Sequence, residues 1–213
     1  MSRNTKDFKC CPTARKINSV SCKQNMSRNT KDYPTYVILG SGGHTAEMRQ
    51  IALALLEPSN CTNYQPMRYI VADSDVTSQS KLSSDLPSIR NSDFIRVPRS
   101  RSVGQSWLST IFSTLWALLW SCWLIWRDQP KLVLCNGPGT CVPFCYAAYM
   151  WRLLGRLPAN SKIVFLESFC RVNTLSLSGR LLLPLADMFI VQWPGLVERY
   201  GHKNNVKYFG RLF

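Results

Sequence analysis

At 213 residues the chain is long enough for one α/β domain with a full hydrophobic core, and short for two. Its net charge of +14 implies a negatively charged partner, whether nucleic acid, an anionic membrane surface or a phosphate-bearing substrate. Nine cysteines with no CxxC pair and no zinc-finger spacing argue against a zinc module or a disulfide framework. They read as reduced thiols of a cytosolic domain, and neither a metal site nor a cofactor is expected.

The heptamer MSRNTKD occurs at Met1–Asp7 and again at Met26–Asp32. Residues 1–34 carry eight basic side chains against Asp7 and Asp32 and no apolar run, so this stretch is predicted to be a disordered basic tail. It has the pattern of neither a secretory signal nor a spanning helix. A duplicated exon or an alternative start at Met26 accounts for the repeat, and a tail lying on anionic lipid is the functional reading. The folded domain is expected over residues 35–213.

From Thr35 onward, β-branched and aromatic runs alternate with helical patterns. Strands are predicted at Tyr36–Leu39, Arg68–Ala72, Phe94–Val97, Leu132–Cys135, Ile163–Leu166, Met188–Val191 and Val206–Phe209. Helices are predicted at Thr45–Leu56, Gln79–Leu82, Ser106–Trp126, Val142–Leu154, Leu175–Leu183 and Pro194–Tyr200. This order specifies an α/β fold, a Rossmann-like doubly wound parallel sheet whose ligand site lies beyond the carboxyl ends of the strands.

The residues after each strand are therefore the informative ones. The first strand is followed by Gly40, Ser41, Gly42, Gly43, His44 and Thr45. Glycines let a backbone approach a ligand, and the helix beginning there offers free N–H groups to a phosphate. A tight turn would also favour glycine. The run does not complete a dinucleotide fingerprint, because Thr45 stands where the third glycine belongs. The fourth strand leads into a second glycine loop, Asn136, Gly137 and Gly139. The fifth leads into Glu167 and Arg171.

At a helix N-terminus His44 is expected as a neutral imidazole, suited to hydrogen bonding or to general-base work, or as a helix cap. Glu167 ends an apolar strand and needs a partner there. It would bind or activate a sugar hydroxyl, or pair with Arg171. Arg96, Arg99 and Arg101 would meet lipid phosphate or head groups, or form a solvated basic loop. No nucleic-acid module is recognisable, and no nucleic-acid partner is expected.

Between Ser102 and Trp126 there is no charge, and Trp107, Trp116, Trp120, Trp123 and Trp126 recur. Length and hydropathy suit a transmembrane helix. Spanning, however, would place the His44 loop and Asn136 on opposite sides of a bilayer. A helix packed on the sheet, with its tryptophans dipping into the interface, keeps the domain whole; a fully buried core helix is the alternative.

The segments GSGGHTAEM, PRSRSVGQSW, KLVLCNGPGTCVP, ESFCRVNTLSLSG, DMFIVQWP and YFGRLF resemble the asparagine-linked glycosylation protein fourteen family. That family is the membrane-anchor subunit of the eukaryotic UDP-N-acetylglucosamine transferase. The resemblance runs from Tyr36 to Phe213 and extends more distantly to the amino-terminal domain of the bacterial transferase that makes lipid II. Both are GT-B glycosyltransferases, so it implies that this sheet is equivalent to the amino-terminal half of such an enzyme. It further implies a heterodimeric inverting enzyme that adds the second N-acetylglucosamine to N-acetylglucosaminyl-diphosphodolichol. The partner would be the catalytic UDP-N-acetylglucosamine-binding subunit, asparagine-linked glycosylation protein thirteen. The place would be the cytosolic face of the endoplasmic reticulum membrane, with the contiguous nuclear envelope.

In that reading Gly42 and Gly43 cradle the acceptor diphosphate, His44 lies near the acceptor sugar, and the partner docks at Arg211, Leu212 and Phe213. Family members usually begin with a hydrophobic spanning segment. Residues 1–34 offer none, so anchoring would fall to the tryptophan helix and the basic tail. A purely structural membrane scaffold and a nicotinamide-dependent oxidoreductase are the rival readings.

Overall fold

The computed structural model describes residues 33–56, 64–85, 89–100, 105–137 and 139–210. The expectations placed on residues 1–32, on Arg101, on the side chain of Trp107 and on Arg211, Leu212 and Phe213 lie outside the described residues.

Seven strands form one wholly parallel sheet: β1 (Thr35–Ile38), β2 (Met67–Ala72), β3 (Phe94–Val97), β4 (Leu132–Asn136), β5 (Lys162–Leu166), β6 (Met188–Val191) and β7 (Val206–Tyr208). Their spatial order is β3-β2-β1-β4-β5-β6-β7. The inner strands are apolar without interruption because both faces of a parallel sheet are covered. Period-2 alternation sends Tyr36, Ile38, Val133, Cys135 and Phe165 into one core and Val37, Leu39, Leu134, Val164 and Leu166 into the other.

The second of these cores is completed by α1 (Gly43–Leu56) and α2 (Val76–Asp85) through Met48, Ile51, Leu55 and Leu82. The first is completed by α3 (Trp107–Asp128), α4 (Cys141–Leu153), α5 (Leu177–Leu182) and α6 (Pro194–Tyr200) through Leu124, Ile125, Phe144, Leu182 and Leu196. The predicted elements are all present. The second helix is longer than its sequence pattern suggested, because Asp75 accepts the Ser78 N–H at 3.1 Å and starts it early.

The helix α3 contains the one segment among the described residues long and apolar enough to cross a membrane, Ser109–Asp128, with mean hydropathy 1.3. It packs against α4 and, through Leu124 and Ile125, against the core under the sheet. Ser106 caps its N-terminus. The Ser113 and Thr114 hydroxyls donate to the Ser100 carbonyl at 2.7 and 3.1 Å. At the far end the Tyr36 hydroxyl donates to Asp128 at 2.6 Å, and Trp151 Nε1 donates to the Cys122 carbonyl at 2.9 Å. Ala117, Ser121, Leu124 and Ile125 form its buried stripe. The opposite stripe is apolar and open to solvent, with Phe112 74% exposed and Ile111, Leu115, Trp116, Leu119, Trp120, Trp123 and Trp126 beside it. A helix buried on both sides is thereby excluded.

Candidate functional site

Strand order reverses between β1 and β4, so the loops leaving these strands part and open a crevice at the carboxyl edge. A cavity of about 670 Å³ lies there. Its wall includes Gly40, Ser41 and His44 after β1, Arg99 after β3, Gly137 and Gly139 after β4, and Ser168 and Arg171 after β5.

The first loop is pinned from beneath. Thr45 Oγ1 donates to the Gly40 carbonyl and lies 2.6 Å from Ser78 Oγ; Ser78 in turn donates to Asp75 Oδ2 at 2.5 Å. Thr45 is therefore a buried strut, and its hydroxyl is not available to a ligand. With the loop fixed, Gly42 takes φ +68°, which an L side chain resists, and α1 begins at Gly43. The Thr45 N–H meets the Gly42 carbonyl at 3.2 Å, and the N–H groups before it, on Gly43 and His44, stand where a helix offers no intrahelical carbonyl. Among the described residues, and apart from the immediate chain neighbours and the helix's own backbone, no heavy atom lies within 4 Å of where a Cβ on Gly42, Gly43 or Gly139 would stand.

His44 stands on the cavity wall with Nδ1 turned inward, 3.2 Å from Asn136 Oδ1 and 3.5 Å from Glu47 Oε2. Asn136 is fully buried behind it and donates Nδ2 to Glu47 Oε2 at 2.6 Å. The other carboxylate oxygen of Glu47 accepts the Phe169 N–H at 3.1 Å and the Ser168 hydroxyl at 3.4 Å. Glu47 thus joins the loops that follow β1, β4 and β5. The hydrogen bond with Glu47 raises the pKa of His44 above its ordinary value, against the pull of burial. The carboxylate one turn along thus opposes the helix N-terminus, which by itself favours the neutral imidazole. Burial pushes Glu47 up, but bonds from His44, Asn136 and the Phe169 N–H together leave it below the usual carboxylate range.

Glu167 is placed differently from its sequence expectation. Its side chain is fully buried and forms no part of the cavity wall. One oxygen accepts the Ser168 N–H at 3.0 Å, and the other accepts the Ser176 N–H and hydroxyl at 3.0 and 3.1 Å. Ser176 is the N-cap of α5, and the carboxylate steadies that cap rather than reaching a ligand. Burial pushes the carboxyl of Glu167 up. Arg171 acts on it only through space and itself lines the cavity. Arg99 lines the same cavity and donates to Ser74 Oγ at 3.2 Å.

Glu47 was missed in the sequence. The signal was its spacing, since a carboxylate three residues after a histidine on one helix shares its face.

The comparisons with known proteins agree with this architecture. The family model described as "Oligosaccharide biosynthesis protein Alg14 like" matches residues 35–212. The UDP-N-acetylglucosamine transferase subunit ALG14 of Homo sapiens is 45% identical over 185 residues, covering 83% of this chain and 81% of that protein. The corresponding Schizosaccharomyces pombe subunit is 46% identical over 170 residues, 77% of each chain.

Among solved structures, Acinetobacter baumannii MurG superposes with a TM-score of 0.56 at 14% identity over 85% of this chain and 45% of its own. A UDP-N-acetylglucosamine 2-epimerase gives 0.58 at 14% identity over 83% and 46%. At such identity these two show the fold alone, a Rossmann-like domain of the GT-B type, and the chain spans just under half their length. A family match across the whole sheet and relatives at this identity establish that the chain belongs to the Alg14 family.

Proposed function

We propose that this chain is the acceptor-binding half of a two-subunit inverting UDP-N-acetylglucosamine transferase. A separate catalytic subunit, asparagine-linked glycosylation protein thirteen, carries the sugar nucleotide. The pair adds the second N-acetylglucosamine to N-acetylglucosaminyl-diphosphodolichol on the cytosolic face of the endoplasmic reticulum membrane. The observation that carries this reading is His44, which lines the cavity while its Nδ1 is engaged by Asn136 and Glu47, so that Nε2 is the nitrogen not held by them. The names of the relatives, each a transferase subunit, support a partner.

In this reading the acceptor diphosphate lies against the glycine loops, where the first N–H groups of α1 and the guanidinium groups of Arg99 and Arg171 offset its charge. The acceptor hydroxyl attacks C1 of the UDP-linked sugar and gives its proton to His44 Nε2. The bond from C1 to UDP breaks as the new one forms, UDP leaves with the electron pair, and the configuration at C1 inverts.

The exposed face of α3 carries membrane contact. Its tryptophans meet the interface, while Arg127, stacked 4.7 Å over Trp123, and Arg156, 6.0 Å from Trp126, reach the head groups. Spanning would break the Tyr36–Asp128 and Trp151–Cys122 bonds that fasten the helix to the domain. The partner docks at the carboxyl end, where Arg211, Leu212 and Phe213 follow the last described residue.

The test is co-expression with the catalytic subunit and assay with UDP-N-acetylglucosamine and a lipid-diphosphate acceptor. Transfer by the pair, lost in the His44→Ala pair by about 10²–10⁴-fold with partner capture intact, is the expected result. Undiminished transfer by that variant would assign this chain a scaffold role only.

A further inference from the structure

We propose that Glu47 is a positioning residue for this transfer, setting through Asn136 which nitrogen of His44 carries the proton. The inference rests on the reading of His44 as the base and deepens it. It follows from donor and acceptor inventory. An ionised carboxylate only accepts hydrogen bonds, so the Asn136 atom 2.6 Å from Glu47 Oε2 is its NH2 group. The Asn136 carbonyl oxygen then faces His44, 3.2 Å from Nδ1, and it too only accepts. Nδ1 must therefore carry the hydrogen. In the neutral ring Nε2 is left with a lone pair, on a residue that lines the cavity.

Glu47 Oε2 itself, 3.5 Å from Nδ1, is a second acceptor that favours the same tautomer. Glu167 reaches the imidazole only through space. Arg99, Arg171 and Asp75 line the cavity wall. The second oxygen of Glu47 is held by the Phe169 N–H and Ser168 hydroxyl, so the carboxylate has a fixed orientation in which to act. Dictating the tautomer requires a group that cannot donate, and that distinguishes Glu from Gln at this position.

Glu47→Gln keeps the shape and lets the amide of residue 47 present either atom to Asn136. In the pair with the catalytic subunit it is expected to lower kcat on the order of 10–100-fold, less than loss of the base itself. The KM values for both substrates stay unchanged, since no substrate contact is removed. Removing the neighbouring negative charge also moves the acid limb of the kcat/KM profile to lower pH. Glu47→Asp, which still cannot donate, recovers part of the rate.

A second measurement needs no variant. The chain has two histidines, His44 and His202, so with this chain alone 15N-labelled in the wild-type pair its imidazole nitrogens are separable by 15N–1H spectroscopy. His44 is expected as the Nδ1–H tautomer above its pKa. An Nε2–H tautomer, or wild-type kcat with an unshifted acid limb in Glu47→Gln, overturns the role of Glu47 while leaving His44 as the base. Normal turnover in His44→Ala instead overturns the parent reading.

Discussion

The imidazole of His44 occupies the space that a side chain on Gly137 would take: a Cβ built there would stand 2.5 Å from His44 Cε1 and 2.9 Å from Nδ1. Gly137 also has φ +61°, so two independent constraints reserve the position for glycine. Gly137→Ala is expected to cost about 1–2 kcal/mol from the left-handed backbone alone. It should also swing the ring off Asn136 and reduce kcat of the reconstituted pair. Thermal unfolding and initial rates measured on the same preparation check both, and a variant with wild-type rate would mean the ring tolerates displacement.

The His44–Glu47 pair makes stability depend on pH in a defined way. His44 has a folded pKa above its ordinary 6.5, so its contribution is fully present below pH 6.5 and fades as pH rises through the folded value. Glu47 has a folded pKa below its ordinary 4.5, so its contribution is present above pH 4.5 and fades as pH falls through the folded value. The two overlap between pH 4.5 and 6.5. The melting temperature of wild type minus that of Glu47→Gln is expected to peak in this window and decline on both sides. A flat difference across pH 4 to 8 would mean the pair is not coupled to folding.

Glu167 should behave as a structural carboxylate. Glu167→Ala strands the Ser168 and Ser176 N–H groups in the interior, at about 1–3 kcal/mol for each group left unpaired. The expected signature is a large fall in unfolding midpoint with a smaller fall in kcat per folded molecule. A kcat loss equal to that of His44→Ala, at unchanged stability, would restore Glu167 to the chemistry.

The outer face of α3 can be altered without touching the core, since Phe112 and Trp116 are exposed by 74% and 56%. Phe112→Lys with Trp116→Lys is expected to weaken flotation with phosphatidylserine-containing vesicles by about tenfold or more. That follows from roughly 1.5–3 kcal/mol per large apolar side chain withdrawn. Capture of the catalytic subunit should be unaffected. Undiminished flotation would hand the face to another occupant.

The sheet was legible because each strand is short, apolar and bounded by glycine, proline or polar residues, and because parallel strands admit no alternation to confuse them. Ligand-facing loops followed from the same pattern, which is why His44, Asn136 and Gly137 were named from sequence. What the pattern did not reveal was direction. Glu167 and Glu47 are both acids near strand or helix ends. Only the crossing of β1 against β4 shows that one is buried under a helix cap and the other stands behind the histidine. Glu47 is also followed closely by Arg49 and Gln50, so its sequence environment resembles an ordinary outer face. The tryptophan helix was ambiguous for a different reason. Hydropathy records how apolar a segment is, and only the Tyr36 and Trp151 bonds record what it is fastened to.

Every bond in the cluster formed by His44, Glu47, Asn136, Ser168 and Phe169 is made within this one chain. The histidine's polar frame joins residues about ninety to one hundred and twenty positions apart, so it assembles only when the strands carrying them have come together in one sheet.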